Sequence, residues 1–278
     1  MAAESTAKLP LGFRAGWVII CCFTALILVY LVLPQFIVLP LSFSDRSFLS
    51  FPPSGWSTQW YEKLVANPSW FQAMINSLAI GVPTALLSMV FGTMAALAVS
   101  RGGFKQAGVI SALVVAPMML PHVILAIGLY PLMLQLNLLG SYAAATIGHT
   151  VIGVPLVFIT VTAQLARHDF TLELAAMTLG ARPWRTFRSV TYPTIRIGII
   201  IGGILAFATS IDELMLALFL TGAGTRTLPR LIWEQMNDYL TPTIAAVATL
   251  VFLFTLVLLV IVALIQSRST RLDGWNHD

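Results

Sequence analysis

Residues 167–196 read RHDFTLELAAMTLGARPWRTFRSVTYPTIR. The segment from Thr171 to Leu179 has helical character, with Thr171 as a candidate cap and Glu173 in the first turn, where a carboxylate favours the helix dipole. Gly180 stops that helix. Pro183 suits the first position of a second helix through Trp184, Phe187 and Val190, and Pro193 is expected to end it. Ala175, Ala176, Gly180 and Ala181 leave little bulk at the bend, so the two short helices can lie close together. Taken alone, the segment could be an ordinary amphipathic hairpin resting on a membrane.

On either side of it the chain is almost free of charge. Of 278 residues, 58% are apolar and 9% are charged, against roughly 25% charged in an average soluble domain. The mean hydropathy is +0.89. So little charge cannot cover a water-soluble fold of this size, which excludes a soluble enzyme. The net charge of +4 reads better as membrane orientation than as a nucleic-acid surface. Cys21 and Cys22 are adjacent in an apolar run and form neither a disulfide framework nor a zinc-ligand spacing.

A helix crossing the membrane needs about 20 mostly apolar residues. Charge-poor runs place six of them, at 15–41, 70–100, 107–134, 141–165, 196–220 and 241–266. The third and fourth divide at a turn near Gln135, Asn137 and Gly140. The first is too long for a removable signal core and no A-x-A-like site follows it. The expected fold class is an all-α integral membrane protein. Its parts are an N-terminal segment 1–14, a first span with its external loop over 15–69, a five-span core over 70–266 that holds the loop 167–195, and a tail 267–278.

Basic residues in the connections set the direction. Lys8, Arg14, Arg101, Lys105, Arg167, Arg182, Arg185, Arg188, Arg196, Arg268 and Arg271 fall on one side; Arg46, Lys63, Arg226 and Arg230 fall on the other. With an even number of spans, both termini are expected in the cytoplasm. Trp56, Trp60, Tyr61 and Trp70 then suit an aromatic belt at the outer interface.

The segment ELAAMTLGARPWRTFRSVTYP resembles the signature loop of bacterial ABC-importer permeases. That pattern is Glu-Ala-Ala, three residues, Gly, nine residues, then hydrophobic, any, hydrophobic, Pro. Leu174, Ala175 and Ala176 take the first three places, and Gly180, Val190, Tyr192 and Pro193 keep the spacing. Leu174 stands where the family usually has Glu, with Glu173 one residue earlier. Asn76-Ser77-Leu78 resembles the opening of the family's permease domain. SIDELMLALFLTG, with Thr227-Leu228-Pro229 and Thr241-Pro242, resembles the spermidine and putrescine subgroup; related members take opines or aminoalkylphosphonates.

The resemblance implies a type I importer permease with a coupling helix between its fourth and fifth spans. Glu173, Ala175, Ala176, Gly180, Ala181, Phe187 and Pro193 would dock on an ATPase. The implied partners are a second, homologous permease, two ATPase subunits and an external solute-binding protein. The implied location is the bacterial inner membrane, and the implied solute a small polar, cationic amine. The chain lacks a GxxxxGK[ST] phosphate loop, so ATP and Mg belong on the partner ATPase, and no cofactor or metal is expected here. An ion-coupled secondary transporter and a channel are the rival readings; neither explains the signature loop.

Polar residues inside the spans are the solute-path candidates, because ionisable groups in lipid are costly. Asp212 and Glu213 lie in the fifth span, about 100° apart if helical, with Thr209 on the face of Asp212. A carboxylate with a hydroxyl suits an ammonium group; a structural carboxylate is the competing reading. His122 follows Pro117 and Pro121, which are expected to kink the third span. It could line a cavity or bond between helices, as could His149. In the polyamine subgroup an acidic residue is common at the position of His122. Glu234 and Asp238 lie on an outer helix, where they could guide cations or form a docking face. Gly81, Gly92, Gly148 and Gly153 permit close helix approach, and Met118, Met119 and Met133 read as packing.

Topology reporters fused after Trp56 and Arg226 should signal outside, and those after Arg182 and Arg271 inside. A cytoplasmic signal from the Trp56 fusion would overturn the six-span arrangement.

Overall fold

The computed structural model describes residues 11–238 and 241–274, with side chains over 16–237 and 241–267. Most of the expected N-terminal segment, residues 275–278 of the tail and the side chain of Asp238 lie outside them. The chain separates into two compact units, one of Met1–Lys63 with Leu240–Leu250 and one of Leu64–Tyr239 with Val251–Asp278.

In the first unit, α1 (Leu11–Leu41) is apolar from Ala15 onward and its side chains from Trp17 to Phe36 are exposed, as befits a helix whose solvent is lipid. The short helix α2 (Gln59–Ala66) turns Trp60 inward, and its indole N–H donates to the Ser44 carbonyl at 2.6 Å. Tyr61 bonds the Ser42 hydroxyl at 2.7 Å. These contacts correct the expected aromatic belt. Trp60 and, in the second unit, Trp70 are only 4% and 5% exposed, whereas Trp56 is 72% exposed. The indole N–H of Trp60 is drawn in by a buried carbonyl that needs a donor.

The second unit is built on α3 (Pro68–Arg101), α6 (Tyr142–Leu165) and α9 (Tyr192–Asp212). Asn67 and Ser141 cap α3 and α6 by accepting the Ser69 and Ala144 amides. Between them, α4 (Ala107–Met119) and α5 (His122–Gln135) meet at 100°. The third span is therefore broken rather than merely kinked. Leu120 is extended with ψ 139°, the conformation that a following proline imposes. Asn137 and Gly140 adopt positive φ of 54° and 82° after α5, which makes the expected turn. Among the described residues, five helices are long and apolar enough to cross a membrane, and the bent pair supplies a sixth span if counted as one.

The loop departs from expectation in two details. Helix α7 (Thr171–Thr178) begins at Thr171 with Phe170 in the cap position, and it is the Asp169 carboxylate that accepts the Thr171 amide, at 2.9 Å. That bond holds the exposed Asp169 carboxyl below the usual carboxylate range. Gly180 has φ 85°. The Gly180 and Ala181 amides reach back to the Met177 and Ala176 carbonyls, both at 3.0 Å, a Schellman ending. Pro183 opens α8 (Pro183–Thr186) as expected. Pro193 does not end the helix. A π turn over Phe187–Thr191 carries the chain straight into α9, because widening one turn makes room for a ring that would otherwise strike the carbonyl four residues back.

Lipid gives helices little hydrophobic reason to associate, so close backbone approach matters. Helix α6 is the most enclosed span, and Val157, Phe158 and Val161 join Ala96 of α3 and Ala206 of α9 in one core. At the α3–α6 contact, a Cβ on Gly92 would lie 2.8 Å from the Val154 carbonyl, and one on Gly153 2.3 Å from the Ser88 hydroxyl. At the α6–α9 contact, Thr160 donates to the Gly198 carbonyl at 2.8 Å, and His149 bonds Ser210 at 2.7 Å. Met133 is buried. Met118 and Met119 are 41% and 82% exposed at the α4–α5 break, so the expected packing role holds for Met133 alone.

The remaining elements are α10 (Met215–Leu220), α11 (Leu228–Asp238) and α12 (Pro242–Gly274). A methyl group on Gly202 would sit 2.6 Å from the Val157 Cα and 2.4 Å from the Thr160 hydroxyl. Backbone cannot step aside cheaply, so Gly202→Ala should destabilise by about 1–3 kcal/mol. A lowered melting temperature of the purified protein in detergent would show it. Gly16→Ala, with nothing within 4 Å, is the control; equal melting of both variants would contradict the packing argument.

Candidate functional site

The expected fifth span, 196–220, is interrupted at its two acids. Helix α9 ends at Asp212; Glu213 is extended with ψ 113°, and α10 starts afresh at Met215. The two carboxylates thus do not share one helix. Glu213 is 5% exposed, and both of its oxygens are engaged. One accepts the Leu216 amide at 3.0 Å, which satisfies the opening turn of α10. The other meets the His122 Nδ1 at 2.6 Å. His122 begins α5 immediately after the break at Leu120 and Pro121. One side-chain pair therefore fastens the break in one span to the break in another.

Asp212 is exposed, and among the described residues its carboxylate has no hydrogen-bond or ionic partner. It stands at the C-terminus of α9, among carbonyls that carry partial negative charge, so its own charge is disfavoured there unless a cation comes. Glu213, by contrast, lies at an N-terminus, where a carboxylate is favoured. Thr209 is half-buried one turn before Asp212.

At the loop, Glu173 is 8% exposed. Its Oε1 accepts from Arg101, from His168 Nε2 at 2.9 Å and from the Thr191 hydroxyl at 2.7 Å. The docking candidates Ala175 and Gly180 are exposed, Ala176, Ala181 and Phe187 are half-buried and Pro193 is exposed. Around them stand exposed Leu172, Leu174, Met177, Leu179 and Trp184. Sequence reading had no means to foresee that these apolar side chains are exposed, since each residue by itself passes as membrane contact.

A third cluster was also missed. Asn76 is 1% exposed; its amide donates to the Gly224 and Arg226 carbonyls at 3.1 and 2.9 Å, and its oxygen accepts from Tyr142 at 2.7 Å. The Ser77 hydroxyl accepts the Leu228 amide at 2.8 Å. The loop after α10 is thereby tied to α3 and α6, beside a cleft of ≈ 300 Å³ lined by Gln72, Asn76 and Arg226. The signal was a polar pair, Asn76-Ser77, inside an apolar helix. Glu234 is held by Arg226 at 3.2 Å and Arg230 at 2.9 Å, which leaves it little freedom to guide cations.

Residues 88–271 match the family described as binding-protein-dependent transport system inner membrane component. The putrescine transport system permease protein PotI of Escherichia coli (strain K12) is 31% identical over 229 residues, covering 80% of this chain and 81% of that one. The spermidine/putrescine transport system permease protein PotC of the same strain is 28% identical over 249 residues, 90% of this chain and 94% of that one. A chain in the crystal structure of a bacterial ABC transporter that imports the acidic polysaccharide alginate shares the fold, with a TM-score of 0.67 over 95% of this chain and 99% of that one at 13% identity. With its apolar spans and its signature loop, this chain is a multi-pass inner-membrane permease component and belongs to the binding-protein-dependent transport system inner membrane component family.

Proposed function

We propose that the chain is one of two permease subunits of an ATP-driven importer, that its solute is a small cationic amine, and that Asp212 is the carboxylate the solute meets. The observation that carries this reading is the division of labour at the α9–α10 break. Glu213 is committed to a backbone amide and to His122, whereas Asp212 is exposed and unpaired at a helix C-terminus. Broken helices in transporters commonly present half-helix C-termini to cations. An ammonium group would meet the Asp212 charge and the last carbonyls of α9 together. The names of the relatives, putrescine and spermidine permeases, support the same solute class.

The partners in this reading are a homologous second permease, two ATPases that hold ATP and Mg, and an external solute-binding protein. Both termini face the cytoplasm, as the basic residues argue. Helix α7, with its exposed apolar side chains, enters a groove on the ATPase. Closure of the ATPase pair would then shift the spans between outward-open and inward-open populations. Glu213 and His122 serve in this account as the brace that keeps the broken helices in place.

Uptake of labelled putrescine by cells carrying the whole transporter tests the reading. Asp212→Asn keeps the volume and removes the charge; uptake should fall by roughly tenfold or more, the equivalent of about 1.4 kcal/mol. Membrane abundance and copurified ATPase should stay normal. Glu213→Gln should instead lower the amount of folded protein. Full uptake by the Asp212→Asn protein would remove Asp212 from the solute path.

A further inference from the structure

An acid on a short surface helix is expected to face water, and Glu173 does not. It points from α7 toward the spans, and its Oε1 collects donors from three separate places: Arg101 at the end of α3, His168 in the loop and Thr191 in the π turn that leads into α9. Arg101 also donates to the Thr191 hydroxyl at 3.0 Å, which closes a triangle. The Phe170 ring lies 6.0 Å from the Arg101 guanidinium and meets the His168 ring edge-on at 5.7 Å. The residue one place later, about 100° round the helix, is Leu174, which is 60% exposed. In this chain the carboxylate thus faces the spans, and the outward face is apolar.

Five residues of loop join α7 directly to α6, but its covalent routes to α3 and α9 are indirect. Toward α9 the chain passes the bend at Gly180, a positive-φ residue with nothing within 4 Å of a Cβ position. Toward α3 the separation is 72 residues. Without a side-chain tie, α7 would be linked to α9 only through the Gly180 bend and to α3 only through α6. Among the described residues, the side-chain hydrogen bonds that tie α7 to both α3 and the π turn converge on the buried carboxylate of Glu173.

We propose that Glu173 is a positioning residue that keys α7 to α3 and α9 at once, so that the two spans follow α7 as one body. The proposal rests on the reading of α7 as the ATPase-docking helix. It places the action of Glu173 inside this chain, through Arg101 and Thr191, and assigns contact with the ATPase to the exposed face that carries Leu174. A carboxylate with three donors on one oxygen in a buried site holds its geometry more firmly than a surface ion pair does.

The test uses the assembled transporter with Cys21 and Cys22 replaced by Ser and a single reporter cysteine at Thr209, and it needs no knowledge of the solute. Two quantities are read: the ATPase that copurifies, and the rate at which a maleimide labels the reporter with and without a non-hydrolysable ATP analogue. In the parent the analogue should change labelling by about tenfold, within the usual range of allosteric coupling. Glu173→Gln should keep the ATPase and lose most of that change. Arg101→Gln should do the same, and the double variant should be no worse than either single one, because both remove one connection. Thr191→Val, which leaves all charges in place, should reduce the response partly and guards against loss of fold in the charge variants. A normal nucleotide response in Glu173→Gln overturns the proposal. So does loss of the ATPase from that variant, which would make Glu173 a docking contact. Failure of the docking reading itself is seen separately, as a parent transporter that retains no ATPase.

Discussion

A helix broken inside lipid leaves backbone amides and carbonyls with nothing to bond, and each such group is expensive. The carboxylate of Glu213 is what makes the break between α9 and α10 tolerable. It accepts the Leu216 amide and at the same time binds His122, which itself opens α5 beyond a second break. Two discontinuities that would each weaken a span are thus joined through one buried side chain. What remains at the break is the outward-turned end of α9, with its carbonyls and the unpaired Asp212. An irregular backbone in a membrane protein is retained where it lines a route through the protein, and the proposed solute path puts the Asp212 charge on such a route.

The same economy of polar groups governs the two ends of the bundle. Asn76 uses its whole amide to hold the loop after α10 against α3 and α6, and Glu173 uses one oxygen to hold the loop before α8 against α3 and the π turn. Between them the spans meet through glycines and an apolar core, with the Thr160–Gly198 and His149–Ser210 hydrogen bonds joining α6 to α9. Rigid ends with a closely packed middle suit a body that tilts as a unit, which is the motion alternating access requires.

Much of this was legible in the chain. Charge-free runs located the spans, because lipid tolerates little else, and the spacing of Ala175, Ala176, Gly180 and Pro193 identified the loop. Gly180 as a helix stop and Pro183 as a helix start follow from backbone chemistry alone. The breaks were only half visible: Pro121 announced the first, but nothing local announces that Glu213 leaves the helix, since its partner His122 is 91 residues away. The inward turn of Glu173 was hidden for the same reason, with Arg101 distant in sequence. Pro193 misled because a proline normally ends a helix, and a π turn is a rare accommodation that depends on the surrounding packing. Local chemistry thus revealed the elements, while the carboxylates took their roles from partners that only the fold supplies.

The most direct measurement is a structure of the assembled importer with its solute trapped in the membrane. The account predicts an ammonium group within about 3 Å of the Asp212 carboxylate, at ordinary charge-assisted hydrogen-bond distance, with the Glu213–His122 contact still closed. A solute held elsewhere, with Asp212 facing lipid or bonded to a neighbouring subunit, would contradict it.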